Sequence, residues 1–324
     1  IAASMTLSAL LTVLDESGLL TRPASPSGTA VTAIAYDSRA AVPGSVFVAV
    51  RGVQADGSAF AGQAISKGAI AVVAEAPPPA ACPVPWVTVS DGRLALALLA
   101  AEFHGHPSRR MRVVGITGTN GKTTTSYLVQ AAVDAAGVRC GLMGTVQYRI
   151  GAEMRDAART TPEAPDVQQM LRDMLDAGCG ACAMEVSSHA LALRRVDATR
   201  FAAAVFTNLT RDHLDYHEDM DRYFAAKRRL FDLLPADAPA VVNVDDRRGA
   251  ILAAELPRRL TYGVDRPADV RPDALPSSLL ELAFVARTPA GPVRVQSKLA
   301  GRFNVYNLLA AVATGVALDL PATA

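Results

Sequence analysis

The stretch that most constrains the fold lies about a third of the way along the chain, at residues 113–125, VVGITGTNGKTTT. An apolar run, a turn with glycines and a segment compatible with a helix follow one another without a gap. This order predicts a strand, a phosphate-binding loop and a helix. Glycines let backbone N–H groups close around phosphate oxygens, and the helix directs the positive end of its dipole at the same anion. The alternative is a glycine-rich turn that binds nothing.

The loop offers candidate ligands for a nucleotide and its metal ion. Lys122 would reach the outer phosphates, and the hydroxyl of Thr123 would bind Mg²⁺. The spacing departs from the common form of the motif, because Ile116 stands five residues before Gly121 where glycine is usual. We expect the phosphates to contact Gly118, Thr119, Asn120, Gly121, Lys122, Thr123 and Thr124.

Length and composition narrow the classes of protein that are possible. The length of 324 residues allows two ordinary domains. Half of the residues are apolar, and the net charge is +1. This balance predicts a globular protein that does not bind nucleic acid. No apolar run reaches the roughly 18 residues that a membrane span requires. We therefore expect a cytoplasmic protein, a monomer, with no membrane partner.

The cysteines and the chain start carry two smaller predictions. Four cysteines in a chain of this length do not make a disulfide framework. Cys179 and Cys182 form a CxxC pair, but no second pair completes a zinc site, so buried free thiols are the better interpretation. The start at Ile1 has neither an initiator Met nor the layout of a secretion signal, and we expect a truncated end.

Residues 1–107 are predicted to form a small N-terminal α/β domain. Leucines at helical spacing predict a helix near residues 7–14. Short apolar runs predict four strands, and two further helices are expected between and after them. The predicted strands are 31–36, 45–50, 69–74 and 86–90, and the predicted helices are 59–68 and 94–103.

Residues 108–324 are predicted to form a second, doubly wound α/β domain with a mostly parallel sheet. Short apolar runs at 181–185, 202–207 and 240–243 are typical of buried parallel strands. Helical segments at 123–136, 165–177 and 221–234 separate them, and the phosphate loop follows the first strand. An antiparallel hairpin, 279–284 with 293–299, and a last helix, 303–318, complete the prediction.

Three stretches beyond the loop carry candidate chemistry. Glu185 ends a predicted buried strand, so its carboxylate would emerge beside the phosphate loop, where it can hold Mg²⁺ or orient water. His213 lies between two aspartates after the next strand, a pattern that a helix cap alone does not require. Lys227 lies on a predicted helix, where a lysine is normally a solvated surface charge.

Seven motifs in a fixed order resemble one protein family. GTNGKTTT, TTP, EVSSHAL, NLTRDHLDYH, YFAAK, NVDD and GRFNVYNLLAA are similar to motifs of the Mur ligases, in the branch of the UDP-N-acetylmuramoyl-tripeptide synthetases. The earlier stretch YDSR…PGSVFVAVRGVQADG resembles the UDP-binding domain of that branch. The resemblance covers essentially the whole chain.

The resemblance implies an ATP-dependent amide-bond ligase of peptidoglycan precursor synthesis. Its substrates would be UDP-N-acetylmuramoyl-L-alanyl-D-glutamate, ATP and a diamino acid, with Mg²⁺ as cofactor. The free D-Glu carboxylate would become an acyl phosphate, which the amine of the diamino acid then attacks. We favour meso-2,6-diaminopimelate over lysine as the diamino acid, because it is the commoner substrate in the family.

The resemblance also assigns residues. Lys122, Lys227 and His213 would be catalytic, and Lys227 would be carbamylated, which turns a cation into a metal-bridging carboxylate. The implied metal ligands are Thr123, Glu185, His213 and carbamylated Lys227. Asn304 and Asn307 would lie near the nucleotide. The implied UDP-substrate contacts are Tyr36, Ser38, Val53, Gln54, Ala55, Thr160, Thr161, Ser187 and Arg195.

Two positions depart from the enterobacterial pattern of the family. Arg159 stands where Asn is usual, and Leu193 stands where Gln is usual. Family members also have a third, carboxyl-terminal domain, which binds the incoming amino acid, and the resemblance ends before it. We expect this stretch to bind the UDP-substrate and ATP, but not to complete ligation alone.

Two other functions remain open from the residues. A folylpolyglutamate synthase-like ligase shares the ATPase core but lacks a leading UDP-binding domain, so residues 1–107 argue against it. The second possible function is a non-catalytic fragment that binds a UDP-sugar and a nucleotide, or a switch that only hydrolyses nucleotide. A switch would need mobile loops and a Walker-B aspartate, whereas this chain offers Glu185 and His213.

Overall fold

The computed structural model describes residues 5–22, 28–52, 56–212, 217–274 and 281–321. The chain divides into two compact units. The first unit consists of Ile1–Pro107, Glu163–Arg172 and Leu193–Thr199. The second consists of Ser108–Pro162, Asp173–Ala192 and Arg200–Ala324. Both units contain a parallel sheet with helices, so the predicted α/β class is confirmed.

The first unit is built on a four-stranded parallel sheet in which the spatial order of the strands follows the chain. The strands are β1 (Ala33–Ala35), β2 (Ser45–Ala49), β3 (Ala71–Ala74) and β4 (Trp86–Thr88). Its helices are α1 (Leu7–Glu16), α2 (Ala61–Ser66) and α3 (Gly92–Phe103). All residues of β2 and β3 are buried, as continuous apolar strands in the middle of a parallel sheet should be. The apolar faces of α1 and α3 share one core with this sheet.

The second unit is organised around an eight-stranded sheet. Its strands are β5 (Arg112–Thr117), β6 (Cys140–Met143), β7 (Gln147–Ile150), β8 (Glu153–Asp156), β9 (Ala181–Glu185), β10 (Phe201–Phe206), β11 (Ala240–Asn243) and β12 (Arg259–Tyr262). The spatial order is β12-β11-β10-β5-β9-β6-β7-β8. Only the pairs that involve β7 are antiparallel.

Six further helices are described. They are α4 (Lys122–Ala135), α5 (Ala164–Asp176), α6 (Ser188–Ala192), α7 (Met220–Asp232), α8 (Arg247–Glu255) and α9 (Arg302–Ala317). A small antiparallel sheet contains β13 (Arg271–Pro272), β14 (Leu282–Thr288) and β15 (Gly291–Ser297). Helix α9 packs against α4, and both contribute to one apolar core of this unit. None of the helices in the described ranges is both long and apolar enough to cross a membrane.

The strand order places a crevice at the end of β5. After β5 the chain continues to β6 on one side of it, and after β9 it crosses to β10 on the other side. Such a switch point leaves a gap beyond the carboxyl ends of the strands, where α/β proteins bind ligands. Thr117, Glu185 and Phe206 end the three central strands at this edge. Residues that follow these strands therefore form the candidate site.

Candidate functional site

The loop between β5 and α4 needs glycine at two positions. Gly118 has a φ of +147° and Gly121 has a φ of +85°, and residues with a side chain rarely adopt such backbone angles. A Cβ on Gly118 would lie 1.9 Å from Oγ1 of Thr207, and one on Gly121 would lie 2.4 Å from Oδ1 of Asn307. The loop is therefore packed closely against two other elements of the second unit.

Residues after β10 hold this loop in place. The N–H of Asn120 donates to Oδ1 of Asn208 at 3.0 Å, and the N–H of Thr119 donates to the Asn208 carbonyl at 2.9 Å. The Thr207 hydroxyl donates to the Asn120 carbonyl at 2.7 Å. No side chain caps the N-terminus of α4. The first N–H groups of α4 lack partners within the helix, so they are suited to an anion.

Two lysines meet at one carbonyl of the loop. Nζ of Lys122 donates to the carbonyls of Gly118 and Thr119, both at 2.9 Å. Nζ of Lys227, which is 1% exposed, also donates to the Gly118 carbonyl at 2.9 Å. Burial lowers the pKa of both ammonium groups, and burial together with the charge of Lys122 lowers the pKa of Lys227 to about 7. Lys227 is thus not the solvated charge that a helical lysine normally is.

Glu185 faces the start of α4, as its place at the end of β9 predicts. Its side chain is fully buried, and its Oε2 accepts the Thr123 hydroxyl at 3.0 Å. Thr145 donates twice, from its N–H to Oε1 at 2.9 Å and from its hydroxyl to Oε2 at 3.1 Å. Thr145 was missed by the sequence analysis, because β6, the strand before it, was not predicted.

A polar cavity of about 280 Å³ joins these groups. It is lined by Thr119, Asn120, Gly121, Lys122, Thr123, Thr124, Thr145, Thr160, Glu185 and Ser187. Lys227 is not among these lining residues. It contacts the loop at the Gly118 carbonyl. His213 lies outside the described residues.

The donors in this cavity fit a magnesium ion. Mg²⁺ prefers oxygen ligands and is usually bound by one or two carboxylates together with substrate phosphates and waters. The Thr123 hydroxyl and the Glu185 carboxylate supply such oxygens side by side. Within the described ranges there is no group of three or more His, Cys, Asp or Glu that could hold a metal. Nucleotide phosphates and waters are the further oxygens that Mg²⁺ usually takes beside such a pair.

The predicted UDP-substrate contacts in the second unit lie next to Glu185. The Thr161 hydroxyl donates to the Glu185 carbonyl at 2.9 Å and accepts the N–H of Ser187 at 3.1 Å. Oγ1 of Thr160 lies 3.1 Å from Oγ1 of Thr145. The structure therefore brings Thr160 and Ser187 into the same cavity as Glu185, while Thr161 contacts the backbone of Glu185 and Ser187.

Asn304 and Asn307 lie behind the phosphate loop, at the start of α9. Nδ2 of Asn307 donates to Oδ1 of Asn304 at 2.9 Å, and Nδ2 of Asn304 donates to the Ala300 carbonyl at 2.6 Å. Oδ1 of Asn307 accepts the Thr125 hydroxyl at 3.4 Å. In this arrangement Asn307 contacts α4, and its amide supports the loop at Gly121.

Tyr223 is a second residue that the sequence analysis missed. Its hydroxyl lies 3.2 Å from Oγ1 of Thr119, and Nζ of Lys227 lies 4.4 Å from the centre of its ring. It stands four residues before Lys227 on α7, so both side chains share one face of that helix. The YFAAK motif contains this signal, because residues four apart lie on one face of a helix.

Predicted UDP-substrate contacts of the first unit have protein partners. The Tyr36 hydroxyl donates to Asp166 at 2.7 Å, and the Ser38 hydroxyl donates to Oε1 of Gln63 at 2.6 Å. Arg195 forms an ion pair with Glu163 at 2.7 Å. Val53, Gln54 and Ala55 lie outside the described residues. At the two departures from the family pattern, the Arg159 carbonyl accepts the Tyr148 hydroxyl and the Leu193 carbonyl accepts Arg93.

The fold and the cavity define an α/β protein with a phosphate-binding loop at the switch point of a mostly parallel sheet. A family model described as the Mur ligase middle domain matches residues 116–315, and one described as Mur ligase family, catalytic domain, matches residues 30–104. The chain belongs to the Mur ligase family.

Individual relatives agree with this assignment. A UDP-N-acetylmuramoyl-L-alanyl-D-glutamate–2,6-diaminopimelate ligase of Geobacter sulfurreducens is 47% identical over 88% of this chain and 57% of its own length. A UDP-N-acetylmuramyl-tripeptide synthetase of a Roseiflexus species is 45% identical over 91% of this chain and 62% of its own length. A solved structure of a 2,6-diaminopimelate ligase of the same type superposes with a TM-score of 0.82 at 28% identity, covering 99% of this chain and 66% of the other. The chain thus spans about 60% of the length of the curated relatives it matches.

Proposed function

We propose that this chain supplies the UDP-substrate-binding and ATP-binding parts of an ATP-dependent amide ligase. The enzyme would join a diamino acid to UDP-N-acetylmuramoyl-L-alanyl-D-glutamate. One observation carries the proposal: Lys122, the uncapped start of α4 and the Thr123–Glu185 pair converge on a single polar cavity. Relatives named as 2,6-diaminopimelate ligases, 47% and 48% identical to this chain, support meso-2,6-diaminopimelate as the diamino acid.

The phosphates of ATP would bind at the start of α4. The helix N–H groups favour an anion there, and Lys122 needs only to exchange its two carbonyl partners for phosphate oxygens. Thr123 and Glu185 would hold Mg²⁺, together with His213. The metal ion supplies positive charge that lowers the repulsion between the carboxylate nucleophile and the phosphates. Asn304 and Asn307 would support the nucleotide end of the same loop.

The reaction itself would proceed in two displacements. A D-Glu carboxylate oxygen attacks the γ-phosphorus, and the bond from this phosphorus to the β,γ-bridging oxygen breaks. The products of this step are the acyl phosphate and ADP. The amine then attacks the acyl carbon, phosphate departs with that carboxylate oxygen, and the amine nitrogen loses a proton. Positioning and charge stabilisation are the main tasks of the protein in such phosphoryl transfers.

Carbamylation of Lys227 is a further part of the proposal. A neutral amine and CO₂ give a carbamate and a proton. Burial beside Lys122 lowers the pKa of Lys227 to about 7, so a large fraction of its amine is neutral near neutral pH. A carbamate keeps one N–H, so the hydrogen bond to the Gly118 carbonyl could persist. Lys122 would then face the negative charge of the carbamate, and no longer the positive charge of a second ammonium group. Burial and this contact with the phosphate loop support Lys227 as a metal-bridging group.

We also propose the remaining assignments of the UDP-substrate. Residues 1–107 would bind the uridine diphosphate and residues 108–324 would bind ATP. The contacts would be Tyr36, Ser38, Val53, Gln54, Ala55, Thr160, Thr161, Ser187 and Arg195. The polar partners of Tyr36, Ser38 and Arg195 would keep these side chains in fixed orientations before the substrate arrives. A monomeric, cytoplasmic enzyme is consistent with the nearly balanced charge of the chain.

Calorimetric titration of this chain with the ATP analogue AMP-PNP and Mg²⁺ tests the proposal. Lys122→Ala should abolish detectable binding, while binding of the UDP-substrate should remain within twofold of the wild-type value. Lys298→Ala is the matched control, because it removes one exposed lysine of the same unit without touching the cavity. Wild-type chain that binds no nucleotide, or Lys122→Ala that binds as well as Lys298→Ala, would rule the proposed nucleotide site out.

A further inference from the structure

A two-residue element after β6, Gly144 with Thr145, holds the buried carboxylate of Glu185. We infer that Thr145 is a positioning residue for the divalent cation, acting through Glu185, and that Gly144 is required for its close approach. The inference rests on the proposed function, because it assumes that Glu185 binds the metal ion that accompanies ATP. It assigns to the β6–β7 connection a role in metal affinity.

The hydrogen bonds of Glu185 explain why its orientation depends on Thr145. A carboxylate offers about four lone-pair sites on its two oxygens. Oε2 accepts the hydroxyls of Thr123 and Thr145, and among the described residues Oε1 accepts only the N–H of Thr145. Because Oε2 has both sites occupied, one site on Oε1 is left for a cation. Without the Thr145 hydroxyl, the carboxylate could rotate and Oε2 would compete for the same ion.

The character of these donors also matters. All three hydrogen bonds come from uncharged groups, a backbone N–H and two hydroxyls. A buried carboxylate must be hydrogen-bonded, yet neutral donors leave its full negative charge available to a metal ion. Thr145 therefore satisfies Glu185 without neutralising it, which a lysine or arginine at this position would do.

Gly144 permits the short distance between the connection and the carboxylate. A Cβ at this position would lie 2.3 Å from Oε1 of Glu185 and 3.2 Å from its carboxyl carbon. Real Cβ atoms do not approach an oxygen this closely, so any side chain here must displace the carboxylate. Glycine at 144 is consequently a requirement of the close approach.

The direction of the hydroxyl protons extends this network to Thr160. The Thr145 hydroxyl has one proton, and it donates that proton to Glu185. In the contact between Oγ1 of Thr145 and Oγ1 of Thr160, at 3.1 Å, Thr160 must then be the donor. Thr160 therefore presents lone pairs, not a proton, to the cavity that it lines. A substrate group that contacts Thr160 should be a donor, such as an amide N–H or a sugar hydroxyl.

The test measures how much Mg²⁺ strengthens the binding of AMP-PNP to the chain. Outer partners of metal ligands typically contribute about 10–100-fold to metal affinity. Thr145→Val, which replaces the hydroxyl by a methyl group, should reduce the enhancement by Mg²⁺ about tenfold and leave the metal-free affinity for AMP-PNP unchanged. Thr145→Ser should restore the enhancement, because it keeps the donor. A purely structural role would change the metal-free affinity as well.

Two further variants complete the experiment. Gly144→Ala should cause the same selective loss as Thr145→Val. Thr314→Val is the matched control and should change neither affinity. Within the described part of the chain, the hydroxyl of this buried threonine bonds only to its own helix, at the Ala310 carbonyl. Full enhancement by Mg²⁺ in both Thr145→Val and Gly144→Ala would overturn the inference and leave the proposed function intact. Wild-type chain that binds no AMP-PNP would refute the proposed nucleotide site. Wild-type chain that binds AMP-PNP but gains nothing from Mg²⁺ would refute the metal site.

Discussion

Replacement of Gly118 by alanine tests the packing of the phosphate loop. The added Cβ would lie 1.9 Å from Oγ1 of Thr207 and 3.0 Å from the backbone of Asn208, at a backbone φ of +147°. Backbone strain of this kind costs about 1–3 kcal/mol, and overpacking costs about 1–3 kcal/mol. Displacing the Thr207 hydroxyl from the Asn120 carbonyl costs about 1 kcal/mol more. Gly118→Ala should therefore destabilise the second unit by about 3–7 kcal/mol.

Gly137→Ala is the matched control for this prediction. Gly137 also has a positive φ, +82°, but nothing lies within 4 Å of its added Cβ. It should cost only about 1–2 kcal/mol, the price of a left-handed residue. Native-state hydrogen exchange of the β5 and β9 amides measures the free energy of opening for both variants.

A double variant, Thr207→Ala together with Gly118→Ala, identifies the cause of the lost stability. Removal of the obstructing hydroxyl by Thr207→Ala should recover part of the lost stability in the Gly118→Ala background, so the two changes should be non-additive by at least about 1 kcal/mol. If Gly118→Ala costs no more than Gly137→Ala, or if the two changes at 118 and 207 are additive, the packing account of the loop is wrong.

Three further predictions concern charge and thiols. In the complete gene product, Lys227→Ala should remove nearly all ligase activity, and short carboxylates should restore part of it; full activity without them would contradict the carbamate. Because the folded pKa of Lys227, about 7, lies below its unfolded value of 10.5, the unfolded state binds more protons between these values. Stability should thus rise from pH 7 to 8.5, by at most about 1.4 kcal/mol per pH unit for this group, and less steeply in Lys227→Met. Burial raises the pKa of the Cys140 thiol to about 12 and raises that of Cys182, so a thiol reagent should label Cys82 and neither of these in the native state.

The sequence predicted the elements whose patterns are local. Strands β9 and β11 have the predicted bounds, and α4 begins one residue earlier than predicted. The three strands from β6 to β8 were not predicted. Strand β6 is a four-residue run that contains Gly141, and β8 is an edge strand exposed at every residue, so neither shows the apolar pattern of a buried strand.

In the candidate site, too, only the residues that follow clearly patterned strands could be placed from the sequence. Glu185 could be placed beside Thr123, because both follow parallel strands at one edge of a sheet. Thr145 could not, because it follows a strand that has no clear pattern. The partner of Tyr36 is Asp166, 130 residues further along the chain, and such a pairing depends on packing that no local pattern contains. The burial of Lys227 also depends on the packing of α7 against β5.

The central claim is that this chain belongs to a ligase that activates a carboxylate with ATP. The most direct measurement uses UDP-N-acetylmuramoyl-L-alanyl-D-glutamate labelled with ¹⁸O in both free carboxylates of D-Glu. It is incubated with the complete gene product, ATP, Mg²⁺ and 2,6-diaminopimelate. The acyl phosphate route transfers one labelled oxygen to phosphorus, so each phosphate released with the tripeptide should carry one ¹⁸O by mass spectrometry. Tripeptide formed with unlabelled phosphate, or ATP hydrolysed without any tripeptide, would contradict the account.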